Sequence, residues 1–113
     1  MYLKSLEILS SSITDTSIIS LSTHCTRLQS LNLERCEQIK GASMISLSIH
    51  CTGLQSLNLC SCREITDASI LSISTHCTGL RGSFNLCCCN HIADASIISI
   101  SSHCTGLQSL NLK

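Results

Sequence analysis

A fixed internal period constrains this sequence more than any other feature. Cys25, Cys51, Cys77 and Cys104 stand 26, 26 and 27 residues apart. Cys36, Cys62 and Cys89 repeat the steps of 26 and 27, and His24, His50, His76 and His103 repeat all three. Such a period marks stacked copies of one small unit, none of which can bury its own apolar face alone. The single extra residue lies within Arg81-Gly82-Ser83, where LRGSFNL replaces LQSLNL.

The clearest copy is Leu54 to Leu80, LQSLNLCSCREITDASILSISTHCTGL. Its first part alternates: Leu57 and Leu59 face one way, Ser56, Asn58 and Cys60 the other. That pattern predicts a strand with one buried face. In Asp67–Cys77, Ile70, Ile73 and Cys77 fall at i, i+3 and i+7 with Leu71 beside them, which predicts a helix. Thr66-Asp67 stands where a short polar side chain can accept from the free N–H groups of that helix, and Gly79 follows as its stop. Strands joined through helical crossovers must run parallel.

Composition narrows the function classes. Apolar residues make up 43% and mean hydropathy is +0.33, so the chain can bury a core. Aromatic residues are only 2% and proline is absent, so the core volume comes from Leu, Ile and Cys, as in a layered array. A net charge of zero matches neither the basic footprint of a nucleic-acid binder nor a polybasic membrane patch. No apolar run is long enough to span a bilayer, and Met1-Tyr2-Leu3-Lys4-Ser5 lacks the pattern of a signal peptide. Of ten cysteines, seven recur at two positions of the unit. They read as a ladder of small buried hydrophobes rather than a disulfide framework, hence reduced thiols in a cytoplasmic or nuclear protein.

Read in order, the strands are expected at Leu3–Leu9, Leu28–Leu33, in the reference copy, around Phe84, and at Leu107–Leu112. Helices are expected from Thr14-Asp15 to Cys25, from Lys40-Gly41-Ala42, over Asp67–Cys77, and over Asp94–Cys104. The first puts Ile18, Leu21 and Cys25 inward. The second lacks an Asp at its start and is expected to fray most. The extra residue near Gly82 predicts a bulge. The whole of 1–113 reads as one array with no visible end caps: either a fragment of a longer array, or a chain whose ends pair with something, such as another copy.

LQSLNLCSC, ITDASI and HCTGL resemble the cysteine-containing leucine-rich repeat. The matching positions in the reference copy are Leu54, Leu57, Leu59, Cys62, Ile65, Thr66, Asp67, Cys77 and Leu80, and the resemblance covers essentially the whole chain. It implies an α/β, right-handed solenoid of about four β-α repeats of 26–27 residues, with a parallel sheet on the concave face. It also implies a role like the substrate-recognition half of F-box proteins in SCF-type ubiquitin ligases.

A binding surface in such an array lies on outward strand positions. The candidates are Ser30, Asn32, Glu34 and Arg35; Ser56, Asn58, Cys60 and Ser61; and Asn85, Cys87 and Cys88. Asn32, Asn58, Asn85 and Asn111 form a row ~4.8 Å apart. It either hydrogen-bonds an extended partner segment or satisfies itself and water. The identity of Gln-Ser-Leu-Asn-Leu in three places favours the second, through internal duplication. Cys60, Cys62, Cys87, Cys88, Cys89 and His91 are the one group with zinc-like chemistry, but Cys62 and Cys89 belong to the inward ladder and leave too few ligands. The helix-end histidines read as a surface row. No nucleophile–base set stands out from the repeat. The expectation is a non-catalytic protein-binding module with no metal and no cofactor. The alternative is a structural array that associates through its ends.

Overall fold

A computed structural model describes residues 1–113. Strands and helices alternate along the chain: β1 (Ser5–Glu7), α1 (Asp15–His24), β2 (Ser30–Asn32), α2 (Gly41–His50), β3 (Ser56–Asn58), α3 (Asp67–His76), β4 (Ser83–Asn85), α4 (Asp94–His103) and β5 (Ser109–Asn111). The five strands form one parallel sheet in sequence order. Leu6, Leu31, Leu57, Phe84 and Leu110 pair in one row across it. The fold is α/β, built of repeated strand–helix units.

The predicted alternation holds. Leu31, Leu33, Leu57, Leu59, Phe84 and Leu86 are buried against Ile18, Met44, Leu47, Ile70, Ile73 and Ile100 of the helices. The strands, however, are three residues long, not six or seven. Leu33 and Leu59 still donate to the next unit, at 2.8 Å to the Asn58 and Asn85 carbonyls, but the chain then turns sharply. Arg35, Ser61 and Cys88 carry φ of 64°, 62° and 62°, left-handed conformations without a glycine.

Each helix ends one residue before its cysteine. Cys77 is the C-cap of α3 and its N–H donates to Ile73 at 2.8 Å. Gly79 is not the stop, since no glycine has positive φ. The ladder cysteines are buried as expected, and the structure adds a reason for sulfur. Cys36, Cys62 and Cys89 donate S–H to the Ile8, Leu33 and Leu59 carbonyls at 3.3, 3.1 and 3.1 Å. Cys51 and Cys77 donate to the Cys25 and Cys51 carbonyls at 3.3 and 3.5 Å. Each thiol therefore ties its unit to the one before, a contact that an alkyl side chain cannot make.

The helix starts depart from expectation. None of the N-cap side chains bonds its own helix. The aspartate at the first helical position serves the next unit instead. Asp15 Oδ1 accepts from the Lys40 N–H at 2.9 Å, from the Ser43 N–H at 3.3 Å and from the Ser43 hydroxyl. Asp67 Oδ1 accepts from the Ala93 N–H at 2.9 Å and the Ser96 hydroxyl at 2.5 Å. So α2, expected to fray, receives a carboxylate from α1. α1 has no helix before it to supply one, and α3 goes without because the residue that should serve it is Gly41.

Neighbouring helices meet through serines. Ser22 bonds Ser46 at 2.5 Å, Ser48 bonds Ser72 at 2.7 Å, and Ser74 bonds Ser99 at 2.5 Å. Ser22, Ser48 and Ser74 donate their own protons to carbonyls of their helix, so the later unit's serine donates across each seam. Buried hydroxyls without partners would cost about 1–3 kcal/mol each.

The expected irregularity lies in β4. Ser56 pairs with no residue of β4, and β3 and β4 share two paired positions, against three at the other seams. The Ser83 N–H goes to the Ser56 hydroxyl at 3.2 Å instead. A Cβ on Gly82 would collide with that hydroxyl and press to 3.2 Å from the Gln55 carbonyl. Close approach of the Ser56 side chain and the Gln55 carbonyl favours glycine here.

Candidate functional site

The sheet face away from the buried leucines carries the predicted strip. Asn32, Asn58 and Asn85 stand in register along it, half-buried. Each spends its side-chain carbonyl locally. Oδ1 accepts from the Glu34, Cys60 and Cys87 N–H groups at 3.0, 2.9 and 2.9 Å. These Asx turns hold the chain as it leaves the strand and set up the left-handed residue that follows. No asparagine bonds to the next one, and the Nδ2 groups have no partner within the protein. The row is thus a turn-fastening device on its acceptor side and an open row of donors on the other.

The remaining candidates lie just beyond the strand ends. Glu34, Cys60 and Cys87 are half-buried and occupy the same position in successive units. Arg35, Ser61 and Cys88 occupy the left-handed position; Arg35 and Cys88 are exposed and Ser61 half-buried. Their N–H groups bond the next turn: Arg35 to the Cys60 carbonyl and Ser61 to the Cys87 carbonyl, both at 2.8 Å, and Cys88 to the Lys113 carbonyl at 2.7 Å. The turns form a stacked rim as regular as the sheet. Glu34 and Arg35 form no ion pair; the chain's salt bridge is Arg63–Glu37 at 3.8 Å, between exposed side chains.

Sulfur chemistry separates into two groups. Burial pushes the Cys62 and Cys77 thiols up to about 12, and the Cys51 and Cys89 thiols up to about 11. These thiols stay protonated at neutral pH and, being buried, are closed to reagents. On the rim, Cys87 Sγ lies 3.6 Å from Cys88 Sγ, and hydrogen bonding with Cys88 pushes the Cys87 thiol up to about 11. Cys60 and Cys87 occupy equivalent positions on adjacent turns, each two residues past the paired Asn58 and Asn85. Cys62 and Cys89 point into the core, as expected, and no group of three or more His, Cys, Asp or Glu side chains is arranged to hold a metal ion.

The helix-end histidines have a role that spacing alone does not reveal. Nδ1 of His24, His50, His76 and His103 lies 2.8, 3.1, 2.9 and 2.9 Å from the carbonyls of Ser20, Ser46, Ser72 and Ser99. Each imidazole donates there, adding a side-chain bond to a carbonyl near the end of its helix. A polar cleft of about 370 Å³, lined by Asp15, Glu37, Lys40 and Glu64 among others, opens at the helix starts. It brings together residues of three units that no local motif links. The buried serines likewise lie outside the apolar stripe that spacing reveals. Their recurrence as S-x-x-S-x-S in all four helices was the available signal.

No model of a known protein family matches the chain, and no curated protein does.

Proposed function

We propose that the chain is a leucine-rich-repeat solenoid, right-handed, whose open sheet face is concave and binds a protein partner without catalysis. The single observation that carries this is the row of unspent Asn Nδ2 donors on a rigid parallel backbone. The row offers hydrogen bonds to carbonyl and carboxylate oxygens, with Ser30 and Ser56 beside it and the rim of Glu34, Arg35, Cys60, Ser61, Cys87 and Cys88 beyond. Its spacing of ~4.8 Å is shorter than the ~6.8 Å repeat of same-side carbonyls in an extended strand. A loop or folded surface therefore suits the row better than a straight segment laid across it. By resemblance, the role is that of a substrate-recognition arm in an SCF-type ubiquitin ligase, acting in cytoplasm or nucleus. Asn58→Arg combined with Asn85→Arg fills the strip with two long cations and should abolish capture of the partner in a pull-down. An unchanged set of captured proteins refutes the strip as the binding surface.

A second reading has its own observation. Leu86, Cys89, Ile92, Ile97 and Leu112 line an apolar groove of about 220 Å³ beside β5. Leu110 and Leu112 are 37% and 46% exposed, and β5 leaves one backbone edge unpaired. A second copy adding its β1 edge there would extend the sheet. Sedimentation over a hundredfold concentration range tests this; a constant monomer mass rules it out.

A further inference from the structure

We propose that Cys60 and Cys87 are a modification site, at which a peroxide joins them in a disulfide across the β3–β4 seam. Three observations converge on this pair. The first is placement. Cys60 and Cys87 occupy the same position in consecutive units, two residues past paired Asn58 and Asn85. The Ser61 N–H bonds the Cys87 carbonyl at 2.8 Å and locks the two turns together. Adjacent strands lie ~4.8 Å apart, inside the ~4.4–6.8 Å Cα separation that a disulfide accepts.

The second observation is selectivity. Cys88 also lies beside Cys87, at 3.6 Å between sulfurs. Yet neighbouring Cα atoms across a trans peptide are ~3.8 Å apart, short of that window. Cys88 is thus held off as a disulfide partner by the covalent geometry of the chain. The cysteines of the two inward ladders also sit in register, but they are buried, and most donate their protons to carbonyls of the preceding unit. A peroxide reaches Cys60, Cys87 and Cys88, the three that are not buried.

The third observation is what the bond would do. The seam it crosses has two paired positions where the others have three. A covalent tie there reinforces the joint that the extra residue weakens.

The chemistry balances with hydrogen peroxide as the oxidant. One thiol of the pair attacks the peroxide oxygen, giving a sulfenic acid and one water. The partner thiol then attacks that sulfur, forming the S–S bond and releasing a second water. Two thiols and one peroxide become one disulfide and two waters, with the two electrons passed to oxygen.

The test uses the full chain. Folded protein is treated with one equivalent of hydrogen peroxide, free thiols are alkylated under denaturing conditions, and a tryptic digest is analysed without reduction. Cleavage after Lys40, Arg63 and Arg81 puts Cys60 in peptide 41–63 and Cys87 in peptide 82–113. The expected product is those two peptides joined, lighter by two hydrogens than their sum. Cys60→Ser and Cys87→Ser should each remove it, and Cys88→Ser should keep it. Oxidation should raise the thermal midpoint by on the order of 10 °C. A linkage that survives Cys60→Ser, or one confined to peptide 82–113, overturns the proposal. Wild-type protein gives an answer that does not depend on the variants folding. Brief iodoacetamide labelling of the native state should mark Cys60, Cys87 and Cys88 before peroxide and Cys88 alone after it. Labelling of all three after peroxide, or their conversion to sulfinic acids, also overturns it.

Discussion

Gly41→Asp should make the protein more stable. Gly41 occupies the position from which Asp15 and Asp67 each reach the start of the following helix. The target for residue 41 is the first turn of α3, where Ser69 corresponds to Ser43 and Ser96. A Cβ on Gly41 would stand 3.6 Å from Ser69 Oγ, ordinary contact, and its φ is not positive, so a side chain fits without strain. An acceptor on otherwise free N–H groups at a helix start is worth about 1 kcal/mol. A negative charge near the helix N-terminus adds about 0.3–1 kcal/mol when exposed. Replacing glycine within a helix adds a few tenths more. The sum is about 1.5–2 kcal/mol. Urea unfolding should show a higher midpoint with an unchanged slope, because the surface exposed on unfolding is the same. The reciprocal change, Asp67→Ala, removes the acceptor from α4 and should cost about 1–2 kcal/mol. A double-mutant cycle with Ser69→Ala makes the test specific. If Gly41→Asp yields the same gain with and without the Ser69 hydroxyl, and Asp67→Ala costs nothing, the carboxylate does not act across units and the reasoning fails.

Three further outcomes follow from other features. Ser61→Gly relieves a left-handed residue and should stabilise by about 1 kcal/mol in urea unfolding; Ser61→Val should do the reverse. Gly82→Ala forces a Cβ against the Ser56 hydroxyl and the Gln55 carbonyl and should cost about 1–3 kcal/mol, seen as a lower thermal midpoint. Alkaline pH should unfold the chain. The Cys62 and Cys77 thiols are raised from 9.0 to about 12 by burial, so an unfolded chain releases protons that the folded one keeps. Stability contributed by these thiols is full below pH 9 and declines as pH rises toward 12, which circular dichroism across that range will register. At the acid end the sign reverses. Hydrogen bonds from Ser96 and the Ala93 N–H lower the Asp67 carboxyl, so its contribution is present above the ordinary aspartate range and is lost as pH falls through its folded value.

Much of the architecture was legible because the same spacing recurs. Each cysteine, leucine and histidine could be checked against its counterparts, which located the elements and the inward leucines. Strand length was not legible in alternation. Leu33 and Leu59 keep facing inward after pairing has ended, because the Asx turn bends the chain without changing which side they occupy. The role of Asp15 and Asp67 is hidden in the sequence for a related reason. Periodicity places a carboxylate at a helix start, but only the lateral offset between stacked helices decides whose N–H groups it meets. Ser46, Ser48 and Ser74 are polar in the pattern, yet they are buried because each meets another serine at the same height on the neighbouring helix. At the candidate site the row of asparagines was legible. The commitment of each Oδ1 to the turn behind it was not, since that depends on the backbone path of the next two residues.

Every contact between elements of the same kind joins consecutive ones: α1 with α2, α2 with α3, α3 with α4, and each strand with the next. No helix or strand touches a like element beyond its immediate neighbour. Loss of an end unit therefore breaks one seam, whereas opening a middle unit breaks two. Amide hydrogen exchange should accordingly be graded, fastest in the outer helices α1 and α4 and slowest in α2 and α3, so that fluctuations wear the molecule from its ends inward.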